Sequence, residues 1–365
     1  MTTVQTICEH IEKFAPLALQ ESYDNAGLLV GDARMEVSNV LVCIDVTEKI
    51  IDEAIENDCN LIVSHHPLIF GGIKRLTGQN DVQRCIIKAI RYNIAVYASH
   101  TNLDNVSEGV NGRIADKIGL KNRRILSPVQ KSLLKLTTYL PDAHLESVRN
   151  ALFEAGAGTI GNYDACSFSA KGIGTFRANE NAHPFVGSIN KLHEEAERKL
   201  EVILPKYLKK TVLNTLLDKH PYEEPAYDFI PLENEWMQAG SGIVGELENE
   251  EDEIVFLKKI KATFKAGAIR HSALSGKKIK KVALCGGAGS HFLSDAIAQK
   301  ADIFISGDFK YHEFFAAENK ILIADIGHYE SEQYTKELLG EIITKKIPTF
   351  AVRISEINTN PIIYL

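Results

Sequence analysis

Apolar residues near both ends of the chain fall into short, β-branched runs that alternate with helix-length amphipathic stretches. Such runs lie at 39–46, 60–67 and 94–104, and again at 281–290, 302–313, 321–332 and 349–355. Strands that are apolar at nearly every position are typical of sheets buried on both faces. Their alternation with helices predicts an α/β fold with a largely parallel or mixed sheet.

The middle of the chain, from about 127 to 235, follows a different pattern. It predicts a strand at 133–140, a helix at 143–155, strands at 163–168, 172–178 and 199–204, a helix at 211–219 and a strand at 226–231. With one strand more between its helices, this is close to the β-α-β-β-α-β order, and we interpret it as a ferredoxin-like, α+β domain. The simplest organisation is an α/β domain of residues 1–126 and 236–365, interrupted by an inserted domain at 127–235. The acidic stretch at 246–253 is expected to mark re-entry into the outer domain.

The net charge of −7 over 365 residues argues against a general attraction to nucleic acid. Two short basic runs, at 121–124 and 276–281, are candidates for a local basic patch. Short charge runs more often form a solvated surface, so nucleic acid is not an expected partner.

Cysteine usage and the N-terminal sequence indicate the compartment. The six cysteines are scattered and form no CxxC pair, which is typical of reduced, buried thiols and not of a disulfide framework. The stretch at 1–20 has acidic residues and a helical pattern, without the basic start and apolar core of a signal peptide. No apolar run approaches the ~20 residues of a membrane span. We therefore expect a cytoplasmic protein with no membrane partner.

Ligand-type side chains follow three of the predicted strands at the point where each strand ends. In open α/β sheets, ligands bind beyond the carboxyl ends of the strands, so these side chains are expected to meet at one edge. Pro67, directly after the first pair, prevents that strand from continuing as a central one. The three pairs are His65 and His66, His100 and Asp104, and His328 and Glu332.

Spacing and residue type favour a metal centre here. His328 and Glu332 lie one turn apart on one face if a helix begins near Gly327. A single catalytic zinc takes three protein ligands, so a set of five with two carboxylates fits two ions with a bridging carboxylate better. A lone histidine after a strand is more often a structural residue. Adjacent histidines before a proline are harder to explain that way, because two buried imidazoles need two sets of partners. The five candidate ligands are His65, His66, Asp104, His328 and Glu332.

Around these residues the chain resembles a known family, the dinuclear-metal-centre hexameric proteins commonly named GTP cyclohydrolase 1 type 2 homologues. The resemblance covers essentially the whole chain, and the combination of its motifs is highly specific. In the outer regions it is carried by SYDNAGLLVGD (22–32), SHHPLIFGG (64–72), SHTNLDN (99–105), SGDFKYHE (306–313) and DIGHYESE (325–332). In the middle it is carried by GTIGNYDACSF (158–168) and HPYEEPAYD (220–228), which resemble that family's inserted domain, similar to signalling proteins of the PII and CutA type.

The resemblance implies two divalent ions per subunit on the same five residues. Zinc is the expected metal, with iron, manganese or nickel as alternatives, since the ligand set suits all four. It also implies a homohexamer, a ring or cage of dimers with the metal sites facing an internal cavity.

Several other residues have both a functional and a structural interpretation. His100 is a sixth ligand, a partner of a ligand or a substrate contact, and we expect a loop there. His312 is a general acid near the metals, or it packs beneath the site. Lys310 is an anion contact or a surface lysine. The remaining candidates are Asp24 and Asn25 (pocket or turn), the glycine-rich stretch at 286–289 (phosphate cradle or tight turn) and the HPYEEP segment at 220–225 (ligand site or rigid loop).

Two functions follow from these interpretations. The first is a metal-dependent hydrolase acting on a nucleotide-like substrate; the name given to relatives points to opening the imidazole ring of GTP, and a phosphoester suits the same site. The catalytic candidates are His100 and His312. The alternative is a non-enzymatic metal-binding scaffold, metal chaperone or regulatory protein. Fold alone does not distinguish substrates.

Overall fold

The computed structural model describes residues 2–347 and 351–365. These residues form two compact units, one of Met1–Pro128 and Gln238–Leu365 (unit 1) and one of Val129–Met237 (unit 2). The strands are β1 (Gly27–Val30), β2 (Val40–Cys43), β3 (Leu61–Ser64), β4 (Ala95–Ala98), β5 (Lys121–Val129), β6 (Leu133–Pro141), β7 (Ser167–Arg177), β8 (Leu192–Pro205), β9 (Tyr227–Leu232), β10 (Trp236–Asp252), β11 (Arg270–His271), β12 (Lys278–Leu284), β13 (Ile303–Ser306), β14 (Leu322–Asp325) and β15 (Val352–Ile354).

The α-helices of the described residues alternate with these strands. They are α1 (Val4–Phe14), α2 (Glu48–Glu56), α3 (Asp81–Arg91), α4 (Thr101–Asp104), α5 (Val110–Ile118), α6 (Leu145–Glu154), α7 (Lys209–Lys219), α8 (Glu253–Thr263), α9 (Leu293–Ala298), α10 (His328–Glu332) and α11 (Thr335–Lys346). Side-chain caps begin several of them as their sequences require: Thr3 for α1, Thr47 for α2 and Asn80 for α3 each accept a hydrogen bond from a first-turn backbone N–H.

Unit 1 contains two mixed sheets, which confirms the predicted α/β class. The first has the order β1-β4-β3-β2-β15, in which β15, β2, β3 and β4 are parallel and β1 is antiparallel to β4. Every residue of β2, β3 and β4 is buried, as their continuous apolar sequences predict. The second has the order β11-β14-β13-β12-β10-β5, with a parallel centre of β12, β13 and β14.

One hydrophobic core joins the two sheets of unit 1. It includes inward-facing residues of both, such as Val42 and Val63 from the first and Leu284 and Ile305 from the second. Helices α1, α5, α8 and α11 contribute to the same core, while α2 and α3 pack on the other face of the first sheet. The strands that precede the candidate ligands therefore belong to two sheets, whereas the sequence predicts that they end at the same edge of one sheet. Periodicity identifies a strand but does not specify its neighbours.

Unit 2 is an antiparallel sheet of order β7-β8-β6-β9 with α6 and α7 packed on one face. Its elements follow in the order β-α-β-β-α-β. The separate strands expected at 163–168 and 172–178 are wrong, because Ser167–Arg177 forms one continuous strand paired with β8. The assignment of this region as an inserted, PII/CutA-like domain bounded at 127 and 235 stays a prediction.

The acidic stretch at 246–253 lies at the end of β10, within unit 1, and does not mark its beginning at Gln238. In the predicted strand at 349–355, residues 349 and 350 lie outside the described residues, and Val352–Ile354 is a strand. Across residues 2–347 and 351–365, every helix is too short or too polar to cross a bilayer.

Candidate metal centre

The chain leaves strand β3 in a conformation that the backbone holds firmly. The amide of His66 donates to the Ile44 carbonyl at 2.9 Å, and Ser64 Oγ donates to the His66 carbonyl at 2.8 Å. His65 is fully buried, and the side chain of His66 is 18% exposed. Two adjacent imidazoles are thereby fixed at the carboxyl end of the strand.

The segment after β4 is helical, which corrects the expected loop. His100 precedes the short helix α4, and Asp104 is its last residue. The buried Asn102 accepts a hydrogen bond from the His100 amide at 2.9 Å and donates to the Ala15 carbonyl at 2.7 Å. Asn111 of α5 donates to the Asp104 carbonyl at 3.0 Å. This one helical turn carries both side chains toward the candidate centre.

Helix α10 begins at His328 and ends at Glu332, so the predicted one-turn spacing is confirmed. The turn between β14 and α10 needs a glycine. Gly327 has φ +95°, and a Cβ there would lie 2.1 Å from Glu330 Oε2. Glu332 is 3% exposed, so its carboxylate is held inside the protein.

The structure brings all five predicted ligands together. The Nε2 atom of His65 lies 3.8 Å from Asp104 Oδ1 and 3.7 Å from Glu332 Oε1. Glu332 Oε2 lies 3.0 Å from His66 Nε2 and 3.2 Å from His328 Nε2. Three groups of potential ligand atoms lie within 4.8 Å of one another: His65, Asp104 and Glu332; His66, His328 and Glu332; and His65, His66 and His100.

The four histidines share one arrangement of their ring nitrogens. Because carbonyl and carboxylate oxygens only accept hydrogen bonds, each Nδ1 carries a proton, and in the neutral imidazole each Nε2 has its lone pair free for a metal. This tautomer and its fixed orientation are typical of metal-binding histidines. The Nδ1 partners are the Ser99 carbonyl for His65 (2.9 Å), Asp45 for His66 (2.7 Å), Asp24 for His100 (2.8 Å) and Asp308 for His328 (2.7 Å).

Several polar atoms of the centre are buried without a hydrogen-bond partner among the described residues: His65 Nε2, Asp104 Oδ1 and Glu332 Oε2. Glu332 Oε2 is near two imidazoles, but neither contact has hydrogen-bond geometry. Each such atom costs about 1–3 kcal/mol when unpaired, and more when charged. Bound cations would satisfy these atoms, and imidazole with carboxylate suits zinc, iron, manganese or nickel. The residues therefore fit a metal.

The histidines of the centre face strong negative charge. Burial disfavours the imidazolium of His66, but the carboxylates of Asp45 and Glu332 outweigh this effect and raise its pKa to about 10. Burial likewise opposes the charged form of His328, and Glu332 with Asp308 raises its pKa to about 9. Such a field attracts a cation in place of these protons.

The two carboxylates respond in opposite directions. Burial and the nearby charge of Glu332 raise the pKa of Asp104. Burial also acts to raise the pKa of Glu332, but His328 and His65 outweigh it, so this pKa lies well below its usual range. Glu332 is therefore the carboxylate that stays ionised, and its charge is central to the site.

Nearly the whole chain matches a known protein family. The model of the Duf34/NIF3 (NGG1p interacting factor 3) family matches residues 2–361. The chain belongs to this family.

Family relatives align with this member from end to end. Proteins named "GTP cyclohydrolase 1 type 2 homolog" from Halalkalibacterium halodurans and Bacillus subtilis are each 37% identical, over 99% of this chain and 98% of theirs. A solved structure of a Bacillus cereus protein related to NIF3 has a TM-score of 0.86 and 34% identity, covering 100% of this chain and 99% of that one. The mixed α/β fold is thus shared with the family.

The glycine-rich stretch at 286–289 of this Duf34/NIF3 protein is a tight turn and not an open phosphate cradle. Three of its amides are already paired: that of Gly286 with Asn111, that of Gly287 with Ser331 at 2.9 Å, and that of Gly289 with Ser306 at 3.0 Å. Gly287 has φ +60°, and a Cβ there would lie 2.3 Å from Glu332 Oε1. The loop's function is to let Glu332 approach the backbone closely.

One side of the centre is open to solvent and flanked by aromatic residues. The side chain of His328 is 33% exposed. Phe70 is 55% exposed, and its ring centroid lies 5.6 Å from that of His100. Tyr23 is also exposed, and partial burial together with the charges of Glu21, Asp24 and Asp104 raises its pKa. The centre is therefore accessible to solvent from the side of His328.

The other candidate residues lie elsewhere or have structural roles. His312 is exposed, its ring packs against Tyr311 and Phe315, and it is in none of the ligand groups, so its catalytic role stays a prediction. Lys310 is exposed at the start of a 3-10 turn. His220 is buried in unit 2, where Nε2 bonds the Tyr139 carbonyl at 3.0 Å and Nδ1 accepts from an amide. For His220, these contacts favour the interpretation of HPYEEP as a rigid loop over that of a ligand site.

Sequence reasoning missed two carboxylates that orient ligands, Asp45 and Asp308. Each follows a strand by two residues, as Asp45 follows β2 and Asp308 follows β13. That position at the carboxyl end of a strand was the available signal. Asp24, which the sequence indicated only as a pocket or turn residue, has the same role toward His100.

Proposed function

We propose that this protein binds two divalent metal ions on His65, His66, Asp104, His328 and Glu332, and uses them to hydrolyse a nucleotide-like substrate. The observation that carries the proposal is the position of Glu332. Its Oε1 faces His65 at 3.7 Å, and its Oε2 faces His66 and His328 at 3.0 and 3.2 Å. A carboxylate with one oxygen directed at each of two ligand groups is suited to bridge two ions.

The two groups define two sites. Site A consists of His65, Asp104 and Glu332, and site B consists of His66, His328 and Glu332. Each provides imidazole and carboxylate ligands, with zinc as the expected metal and iron, manganese or nickel as alternatives. The Nδ1 contacts hold the imidazoles in the ligating orientation, so little side-chain entropy is lost on binding.

When bound, a pair of such ions lowers the pKa of a shared water and polarises the group to be cleaved. The chain's own residues supply proton transfer and orientation. His100 lies in one group of potential ligand atoms with His65 of site A and His66 of site B, while Asp24 holds its Nδ1. This side chain is placed to accept a proton from the attacking water and return it to the leaving group. Asp24 is itself fixed, because its other oxygen accepts from the Thr101 amide at 3.0 Å.

The aromatic residues on the open side of the centre indicate the substrate class. Exposed Tyr23 and Phe70 offer flat apolar surfaces beside the ligands. Stacking on such rings favours a planar base, and the name carried by relatives, "GTP cyclohydrolase 1 type 2 homolog", refers to a purine nucleotide. The hexamer implied by resemblance belongs to this proposal and is checked by light scattering on the metal-loaded protein.

The test loads the purified chain with Zn²⁺, Fe²⁺ or Mn²⁺ and screens nucleotides and phosphoesters for turnover. Activity abolished in Asp104→Ala and Glu332→Ala supports the hydrolase. Exposed carboxylates of unit 2, Asp218 and Glu233, provide the matched controls Asp218→Ala and Glu233→Ala, which retain activity. Stoichiometric metal without turnover of any substrate contradicts the hydrolase and favours the metal-binding scaffold.

A further inference from the structure

The C-terminal segment 355–362, here called the strap, runs beside the candidate centre. It follows strand β15, which pairs in parallel with β2. Ser355 begins the strap and is 2% exposed; its amide donates to the Val42 carbonyl at 2.8 Å. The strap is therefore anchored on the first sheet before it reaches the residues that hold the ligands.

Thr359 of the strap contacts the residue that orients His66. Its Oγ1 donates to Asp45 Oδ2 at 2.6 Å, while Asp45 Oδ1 accepts from His66 Nδ1 at 2.7 Å. The two oxygens of one carboxylate are thus fixed from opposite sides. Because Asp45 cannot rotate without breaking the Thr359 contact, the hydroxyl determines the direction in which the imidazole points.

The next residue, Asn360, contacts the other ligand-bearing element. Its Nδ2 donates to Glu330 Oε1 at 3.0 Å, and Glu330 lies in α10 between His328 and Glu332. Glu330 is 4% exposed, so the contact is made inside the protein. Thr359 therefore contacts Asp45, which orients His66, and Asn360 contacts the helix that carries the other two site B ligands.

We infer that Thr359 and Asn360 are positioning residues for site B, setting the distance between His66 and helix α10. This inference rests on the proposed two-ion site. Site A has a different support, because His65 is held by the Ser99 carbonyl and Asp104 by α4. Because Thr359 acts through Asp45 on His66 alone, loss of its hydroxyl weakens site B and leaves site A close to its original affinity.

The experiment measures Zn²⁺ affinity by competition with a chromogenic chelator, and zinc content by elemental analysis. Direct orienting partners such as Asp45 typically contribute roughly 10–100-fold to metal affinity. Because Thr359 acts through Asp45, Thr359→Val is expected to weaken one of two binding steps by about threefold to tenfold. Thr359→Ser keeps the hydroxyl and restores the affinity. Thr215→Val is the matched control, since that hydroxyl bonds the Thr211 carbonyl within α7.

A second measurement distinguishes a change in ligand position from a general loss of protein stability. In the Co²⁺-loaded protein, the visible absorption reports ligand geometry, and it changes in Thr359→Val and Asn360→Ala but not in Thr215→Val. Should Thr359→Val fail to fold, Asn360→Ala serves the same test. Wild-type affinity and spectrum in both strap variants, or equal losses in Thr359→Ser and Thr359→Val, overturn the inference alone. A wild-type chain that binds no metal overturns both this inference and the proposed function.

Discussion

Glu332 Oε2 lies 3.0 Å from His66 Nε2, so residues from the first and last parts of the chain face each other across the candidate centre. His66 follows a strand of one sheet, and Glu332 follows a strand of the other. Formation of the site therefore depends on correct packing of the core that joins the two sheets. Folding and metal binding are expected to be coupled.

Substitution of single candidate ligands should distinguish the two sites by the number of ions that remain bound. Asp104→Asn removes a site A ligand and His328→Ala removes a site B ligand, so each variant should hold about one ion instead of about two. Glu332→Gln disturbs both sites, because each uses one oxygen of this carboxylate, and it should retain neither ion firmly. Zinc per chain measured by elemental analysis checks this. Equal stoichiometry in all three variants would rule out a shared carboxylate.

Metal affinity should rise with pH up to about pH 9–10. The pKa of His66 is raised to about 10 and that of His328 to about 9, so a cation must displace protons below these values. Zn²⁺ titrations at fixed ionic strength between pH 6 and pH 8 measure how the affinity changes with pH. Affinity independent of pH over this range would contradict the proton displacement.

The same shifts make the stability of the metal-free protein depend on pH. Both folded-state pKa values lie above the ordinary 6.5, so the folded protein binds more protons and is stabilised fully below that value. This stabilisation is lost as pH rises through about 9 and 10. Thermal unfolding of the chelated protein should therefore show a falling Tm from pH 6.5 to pH 10. In His66→Gln the fall should be smaller.

Gly287→Ala should weaken Zn²⁺ binding, an effect that backbone strain alone would not produce. Alanine at positive φ costs about 1–2 kcal/mol, and here the added Cβ would also lie 2.3 Å from Glu332 Oε1. Gly119 has φ +83° with nothing within 4 Å of a Cβ, so Gly119→Ala carries the strain alone. Denaturant unfolding and Zn²⁺ affinity of both variants are compared. Loss of affinity should appear in Gly287→Ala only, and its appearance in both would refute the steric explanation.

His100 and His312 are the two candidates for proton transfer, and their positions separate them. His100 belongs to a ligand group and is held by Asp24, whereas His312 is exposed. His100→Ala should lower kcat by about 10²–10⁴. His312→Ala should change it little. Zinc content measured in parallel shows whether His100 acts on protons or as a ligand, since loss of an ion in His100→Ala would assign it as a sixth ligand.

Local sequence determined much of this protein. The buried strands β2, β3 and β4, the mixed α/β class, and the one-turn spacing of His328 and Glu332 were all predicted from periodicity and residue type. Such features depend on near neighbours along the chain, which is why a single sequence contains them. The candidate ligands could be named because imidazole and carboxylate at strand ends are recognisable without a structure.

Tertiary structure alone decided how these pieces meet. The candidate ligands follow strands of two sheets and not one, Glu332 directs one oxygen to His65 and the other to His66, and Asp45 and Asp308 occupy Nδ1 of His66 and His328. The contact between Thr359 and Asp45 joins residues distant in sequence. Hydrogen-bond partners of this kind follow from packing in three dimensions, and no periodicity along the chain records which distant side chain a given strand end will face.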